Sequence, residues 1–246
     1  MRVGFIGAGR VVSRIAKAIS NDGHDIAFVL SRKPVEGATI FGARHIVTLS
    51  DTGFLNETDL VIEAASPNAV KEFAPDILEK CDFAILSTTA FGDAEFAGKV
   101  EAIQQRTGNR LTLLSGGIVG LDGLASVGKQ LVSVEIETVK SPVMWGLENH
   151  SDIRVLYEGP TREASKLYEK NVNVHASIAY LSIGFDRCKS RLISDPDAKA
   201  AYQKVRVVGE DFGWTIELHS TPIGGVTASL TPRAVLGSVR NLLNRG

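Results

Sequence analysis

Gly7-Ala8-Gly9-Arg10-Val11-Val12 lies where a short apolar run, Arg2 to Ile6, gives way to Val11, Ile15, Ala16 and Ile19 at helical spacing. In such a strand-turn-helix the first glycine allows the tight bend and the second lets the backbone approach a pyrophosphate. A third lets helix and strand pack closely. Gly7 and Gly9 fill the first two places and Val12 stands in the third. The turn therefore predicts dinucleotide binding, with Arg10 and Val11 opening the helix whose amino end meets the phosphates. Val12 is expected to push the helix slightly outward and to leave the phosphate contact intact. Which dinucleotide binds is read at the end of the second strand, Asp25 to Leu30, where an acidic residue would bond a ribose 2′-hydroxyl and repel a 2′-phosphate. Ser31, Arg32 and Lys33 stand there instead, a hydroxyl, a planar guanidinium fork and an ammonium. These favour NADP(H) with NAD(H) possible, against the plainer reading of solvated basic residues in a loop.

The elements that must position this turn follow from apolar periodicity. Asp59 to Ile62 and Asp82 to Leu86 are buried strands with few polar positions, and Leu111 to Leu114 continues the series. Between the first two, Ser66 or Pro67 starts a helix whose Val70, Phe73, Ala74, Ile77 and Leu78 share one face. Such alternation predicts a doubly wound, Rossmann-type α/β domain with a parallel sheet. From about Leu131 the period changes to two. LVSVEIETVK, DIRVLYEG, RCKSRLIS, QKVRVVGE and WTIELHS predict a second, α+β domain with a mostly antiparallel sheet and one wet face. Helices are expected near Thr161 to Glu169, near Val174 to Ile183 and from about Leu230 to Leu243.

Bulk properties narrow the function classes. With 27 basic and 28 acidic residues among 246, there is no electrostatic case for nucleic acid or an anionic membrane. The partner is expected to be a small molecule or another protein chain. Cys81 and Cys188 lie far apart, without metal-site or redox spacing, so no metal is expected and a reducing compartment is the natural reading. The amino terminus runs straight into a strand without a basic leader or long apolar run, which predicts a cytoplasmic protein.

Four further segments, EAASPNAVKEFAPDILEKCDFAILSTTAFGD, LSGGIVGLDGL, ETVKSP and EGPTREASKLYEKNVNVHASIA, together resemble the L-aspartate dehydrogenase family in order and spacing. The resemblance implies a dinucleotide-binding domain over 1–118, joined by a carboxyl-terminal helix at 229–246. It implies a substrate-binding and dimerisation domain over 119–228, and hence a homodimer. It also implies NAD(P)-dependent oxidation of L-aspartate to iminoaspartate, which hydrolyses to oxaloacetate and ammonia or enters NAD biosynthesis. By the same resemblance Ala65, Ser66, Pro67, Ser87 and Thr88 border the cofactor, and Ser115, Gly116 and Gly117 line the substrate cleft. Asn171 and Asn173 match paired asparagines at a helix start, where the Asn173 amide would hold the nicotinamide carboxamide; the alternative is a simple helix cap.

The chain departs from the family where chemistry matters most. After Asp195-Pro196 the family's Asn-x-His, with its proposed acid/base histidine, falls on Ala201 and Gln203. A glutamine binds substrate but exchanges no proton near neutral pH. His175 stands where the family usually has a small residue, in the first turn of the helix that Asn173 begins, and is the candidate replacement. Its alternative is a partly buried histidine satisfied by a backbone carbonyl. The family's Asn-Pro-x-Thr-Ser appears as Gly224 to Ala228, with only Thr227 retained for the substrate. His24, His45, His150 and His219 read as solvated. The leading reading is therefore an aspartate dehydrogenase with a displaced histidine. The alternatives are a relative acting on another amine, imine or carbonyl, and a protein that binds NADP without turnover.

Overall fold

Continuous apolar runs at the start of the chain pair as a parallel sheet, and alternating runs later pair as a mainly antiparallel one. The computed structural model describes residues 1–32, 43–46, 53–222 and 229–244. Lys33 and the segment Gly224 to Ala228, including Thr227, lie outside the described residues. Two units emerge, Met1–Leu114 with Pro232–Gly246, and Ser115–Thr231.

In the first unit, β1 (Arg2–Ile6), α1 (Arg10–Asn21), β2 (Asp25–Leu30) and β3 (Arg44–Ile46) lead to β4 (Leu60–Glu63). Then come α2 (Pro67–Leu78), β5 (Asp82–Ile85), α3 (Ala94–Thr107) and β6 (Leu111–Leu113). The sheet runs β3-β2-β1-β4-β5-β6 with parallel neighbours. Strand order reverses between β1 and β4, so the chain leaves the sheet at Gly7 and at Ala64 on either side of a topological switch point. Open α/β sheets bind ligands at such crevices. Ser66 caps α2, its Oγ accepting from the Ala69 N–H at 3.2 Å, and Pro67 supplies the fixed φ of the first turn. Helix α8 (Thr231–Leu243) closes the core: Val235, Val239 and Leu243 join Val3, Phe5 and Ile15, and Arg240 reaches Asp22 at 2.7 Å. Val12 is 2% exposed in that same cluster. The side chain in place of the third glycine is thus part of the core.

The second unit contains α4 (Leu121–Val127), β7 (Leu131–Lys140), a short α5 (Pro142–Trp145) and β8 (Arg154–Pro160). It continues through α6 (Thr161–Leu167), α7 (Asn173–Leu181), β9 (Lys189–Ser194), β10 (Ala201–Gly209) and β11 (Gly213–Ser220). Its sheet runs β11-β10-β7-β9-β8, antiparallel except for the β7–β9 pair. Period-two patterning puts Val134, Ile136, Thr138 and Lys140 of β7 on a buried face with Ser190, Leu192 and Ser194 of β9. The other face is wet, with Arg191 bridging Glu137 and Glu158, and Lys204 paired with Glu217. The sequence reading leaves out β3, α4 and α5, which are too short for periodicity to register.

Candidate active site

The turn after β1 fits a phosphate by its backbone. Gly7 has φ +104°, and a Cβ there would lie 2.8 Å from the Ala64 carbonyl oxygen, so glycine is required both by conformation and by space. Gly9 differs: its φ is −78°, open to any residue, and a Cβ would meet nothing within 4 Å. No fold constraint asks for glycine at this second position. The space it leaves is at the amino end of α1, which no side chain caps and whose first turn carries no acid. That combination, open backbone beneath a positive helix end, suits a pyrophosphate.

Ser31 follows β2, and the His45 ring on β3 reaches it: Nε2 lies 3.1 Å from the Ser31 carbonyl oxygen and 3.2 Å from its Oγ. His45 is therefore held against the residue expected at a 2′-phosphate, contrary to the expectation of a solvated histidine. Arg32 follows it. The two loops at the other side of the switch point are tied together by Glu63, a fully buried carboxylate at the end of β4. Its Oε1 accepts from the Ala65 N–H at 2.6 Å and the Ser87 hydroxyl at 2.8 Å, and its Oε2 from the Leu86 N–H at 3.2 Å and the Ser87 N–H at 3.0 Å. Burial raises its pKa, while these donors pull the other way. The hydroxyls of Ser66 and Ser87 are thus engaged with the protein, one as a cap and the other on Glu63, and Thr88 is fully buried. These loops are shaped by internal bonds.

In the second unit Gly117 packs against the start of α7: a Cβ there would come within 3.3 Å of Val174 Cγ2, next to Asn173. Val172, not Asn173, occupies the cap position of α7, and no side chain caps the helix, so the cap alternative for Asn173 does not apply. Gln203 lies on β10 directly opposite Thr138 of β7 and is partly buried. Residues paired this way share a face.

His175 is placed otherwise than a proton acceptor needs. It is 1% exposed, with Nε2 2.8 Å from Thr138 Oγ1 and Nδ1 2.9 Å from Ser190 Oγ, and Ser190 in turn meets Thr161 Oγ1 at 2.8 Å. Burial, with the Lys140 charge nearby, pushes its pKa down to about 3. It stays neutral over the working range, and both ring nitrogens are engaged by hydroxyls, so the expectation of a direct acid/base is corrected. The satisfying partners are hydroxyls on two strands, not the backbone carbonyl of the partly buried alternative. The ring thus touches Thr138, the residue opposite Gln203 in the sheet.

Sequence reasoning missed Lys140. It ends β7 on the buried face, is 7% exposed, and its Nζ lies 3.4 Å from the Asn171 main-chain oxygen and 3.5 Å from Asn171 Oδ1. The Trp145 ring lies beneath it at 4.4 Å from the centroid. Burial lowers its pKa to about 8. The signal was present in ETVKSP, where Lys140 falls in phase with Ile136 and Thr138 on the apolar face. Beside it Ser194 donates to His150 Nε2 at 2.9 Å, because His150 gives its Nδ1–H to the Asp152 carbonyl at 2.7 Å. His150 is thus tied into this corner, not solvated. Among the described residues no cluster of His, Cys, Asp and Glu suits a metal.

Residues 122–242 match the family description "aspartate dehydrogenase, C-terminal", and residues 2–90 match "NADP oxidoreductase coenzyme F420-dependent". The L-aspartate dehydrogenase of Methanosarcina acetivorans is 30% identical over 266 residues, covering 99% of this chain and 97% of that one. That of Thermotoga maritima is 34% identical over 200 residues, covering 80% and 82%. The crystal structure of aspartate dehydrogenase from Thermotoga maritima superposes with a TM-score of 0.81 at 26% identity, covering 100% of this chain and 96% of that one. A nicotinamide-cofactor oxidoreductase fold, matched from end to end by such relatives, makes this chain a member of the L-aspartate dehydrogenase family.

Proposed function

We propose that the protein is an NADP-preferring L-aspartate dehydrogenase, interconverting L-aspartate and iminoaspartate, the latter in equilibrium with oxaloacetate and ammonia. The observation that carries this reading is the end-to-end similarity to aspartate dehydrogenases in a chain whose glycine turn leaves a backbone cradle open at Gly9. When bound, the nicotinamide supplies the hydride acceptor, or the donor in reduction. Gly7, Gly9, Arg10 and Val11 would hold the pyrophosphate, and Ser31, backed by His45, would take the 2′-phosphate together with Arg32. The loops of Ala65 to Pro67 and Ser87 to Thr88, set by Glu63, would border the nicotinamide ribose. Ser115, Gly116, Gly117, Gln203 and Thr227 would line the substrate site. A dinucleotide role for 1–118 with 229–246 and a substrate and dimer role for 119–228 accord with the two units.

Gln203 would bind but exchanges no proton, and His175 stays neutral, so neither acts as a histidine base toward the substrate amine. Log kcat/KM for aspartate oxidation should therefore rise with pH without the break between pH 6 and 7 that a histidine base gives. Such a break would overturn this account of the proton. Oxidation of NADPH by oxaloacetate plus ammonia tests the function. We expect at least about a tenfold preference in kcat/KM for NADPH over NADH, since a bidentate phosphate contact is worth about 1.5–3 kcal/mol. No turnover with these substrates, but turnover with other 2-oxo acids, would favour the broader amine-dehydrogenase reading. We also read the protein as a cytoplasmic homodimer. Cys81 and Cys188, both buried and unpaired, are in keeping with a reducing compartment, and light scattering on the purified protein measures the assembly.

A further inference from the structure

We propose that Lys140 is the anchor for one carboxylate of a dicarboxylate ligand, seated on the buried face of the second unit's sheet. The inference rests on the dehydrogenase reading and names the group that holds its substrate. A buried ammonium is costly unless a counter-ion or several acceptors meet it. Lys140 has neither in full. Its contacts to Asn171 are long, at 3.4 and 3.5 Å, and the Trp145 face accepts charge without accepting a proton. Among the described residues no Asp or Glu forms an ion pair with it. Glu137 lies on the other face with Arg191, and Asp195, which follows Ser194, turns its Oδ1 back to the Asp197 N–H at 2.9 Å. His175 is the other titratable group facing it, and is neutral.

The position is as telling as the missing counter-ion. On one face the sheet rows read Gln203, Thr138, Leu192 and, one step along, Lys140 beside Ser194. Lys140 is therefore one row from Gln203, the residue proposed above to line the substrate site. An ammonium there, with Ser194 and His150 behind it and the Asn171 amide beside it, is placed to hold one end of a short dicarboxylate while the other end meets the row of Gln203. This ion pair forms only on ligation, so the protein keeps the charge poised and not neutralised.

Succinate is the probe, because it carries both carboxylates and no reacting amine. Titration calorimetry on the full-length protein should show succinate binding weakened about 10- to 100-fold in Lys140→Met, the span expected for losing one charge-assisted contact, and less than tenfold in Lys140→Arg. A second readout uses the unaltered protein. At pH 9 an ammonium with pKa near 8 is mostly deprotonated, and pairing with a carboxylate restores its proton, so binding should take up as much as one proton, measured in buffers of different ionisation enthalpy. Lys140→Arg should abolish that uptake while still binding.

Unchanged succinate affinity in folded Lys140→Met, absence of proton uptake, or no succinate binding by the unaltered protein would each overturn the anchor. The two readings fail separately. Succinate binding lost in Lys140→Met in a protein that never turns over aspartate would keep the anchor and remove the dehydrogenase. Aspartate turnover with an unchanged KM in Lys140→Met would do the reverse.

Discussion

The two units build their candidate sites from different material. In the first, the phosphate cradle is backbone: a turn that requires Gly7, an open Gly9 and an uncapped helix end. In the second, the chemistry lies in side chains: Lys140, Thr138, Ser190, Ser194 and Gln203 on one face of a sheet, and His175 on the helix α7 above it. The difference explains why substitutions in the two places have unequal consequences. Val12 in place of a glycine is absorbed into the core at 2% exposure, and the open backbone at Gly9 does not depend on which side chain packs there. A glutamine in place of a histidine removes a titrating group outright.

The largest test of this contrast is on His175. Its pKa is about 3 in the fold and near the ordinary 6.5 in the unfolded chain, so between these values the unfolded state takes up a proton that the fold refuses. Stability is whole above pH 6.5 and is lost as pH falls toward 3, by a sum on the order of 4 kcal/mol. Urea denaturation at stepped pH should show that loss, and His175→Gln should flatten its share of it. An unchanged pH dependence would mean that the ring is solvated. At neutral pH the same variant should alter aspartate turnover only modestly.

Glu63→Gln comes next. Its amide nitrogen would face donors that the carboxylate now accepts, leaving at least one buried N–H without a partner, at a cost of about 2 kcal/mol. The loops after β4 and β5 would loosen together, so the KM for NADPH should rise while the KM for aspartate holds. Equal stability of variant and parent in urea melts would remove Glu63 from this role.

The finest discrimination is between the two glycines. Gly7→Ala must accept a left-handed φ and a Cβ 2.8 Å from the Ala64 oxygen, costing about 1–3 kcal/mol of stability. Gly9→Ala, with ordinary φ and open space, should melt within about 0.5 kcal/mol of the parent yet bind NADPH about tenfold more weakly. If Gly9→Ala binds NADPH normally, the backbone-cradle account fails.

Much of this was legible from the chain alone, since periodicity is a local property. The strand LVSVEIETVK was read as residues 131–140 and is β7, Leu131–Lys140, and the Ser66-Pro67 helix start is where α2 begins. Strands as short as β3, with three residues, offer too few periods to register. His175 was visible as an oddity but not as a core residue. Its environment is made by Thr138 and Ser190, 37 and 15 residues away, which only strand pairing brings beneath α7.

By itself the sequence determined the order of strands and helices, the glycine turn and the absence of an acid directly after β2, because each is written in neighbouring residues. Tertiary structure alone decided what those residues are. It seated Val12 in a core, hung two loops on Glu63, and closed His175 between two hydroxyls. It also left Lys140 buried without an acid among the described residues. Burial and counter-charge are sums over everything that packs around a group, and the chain specifies that packing only when folded.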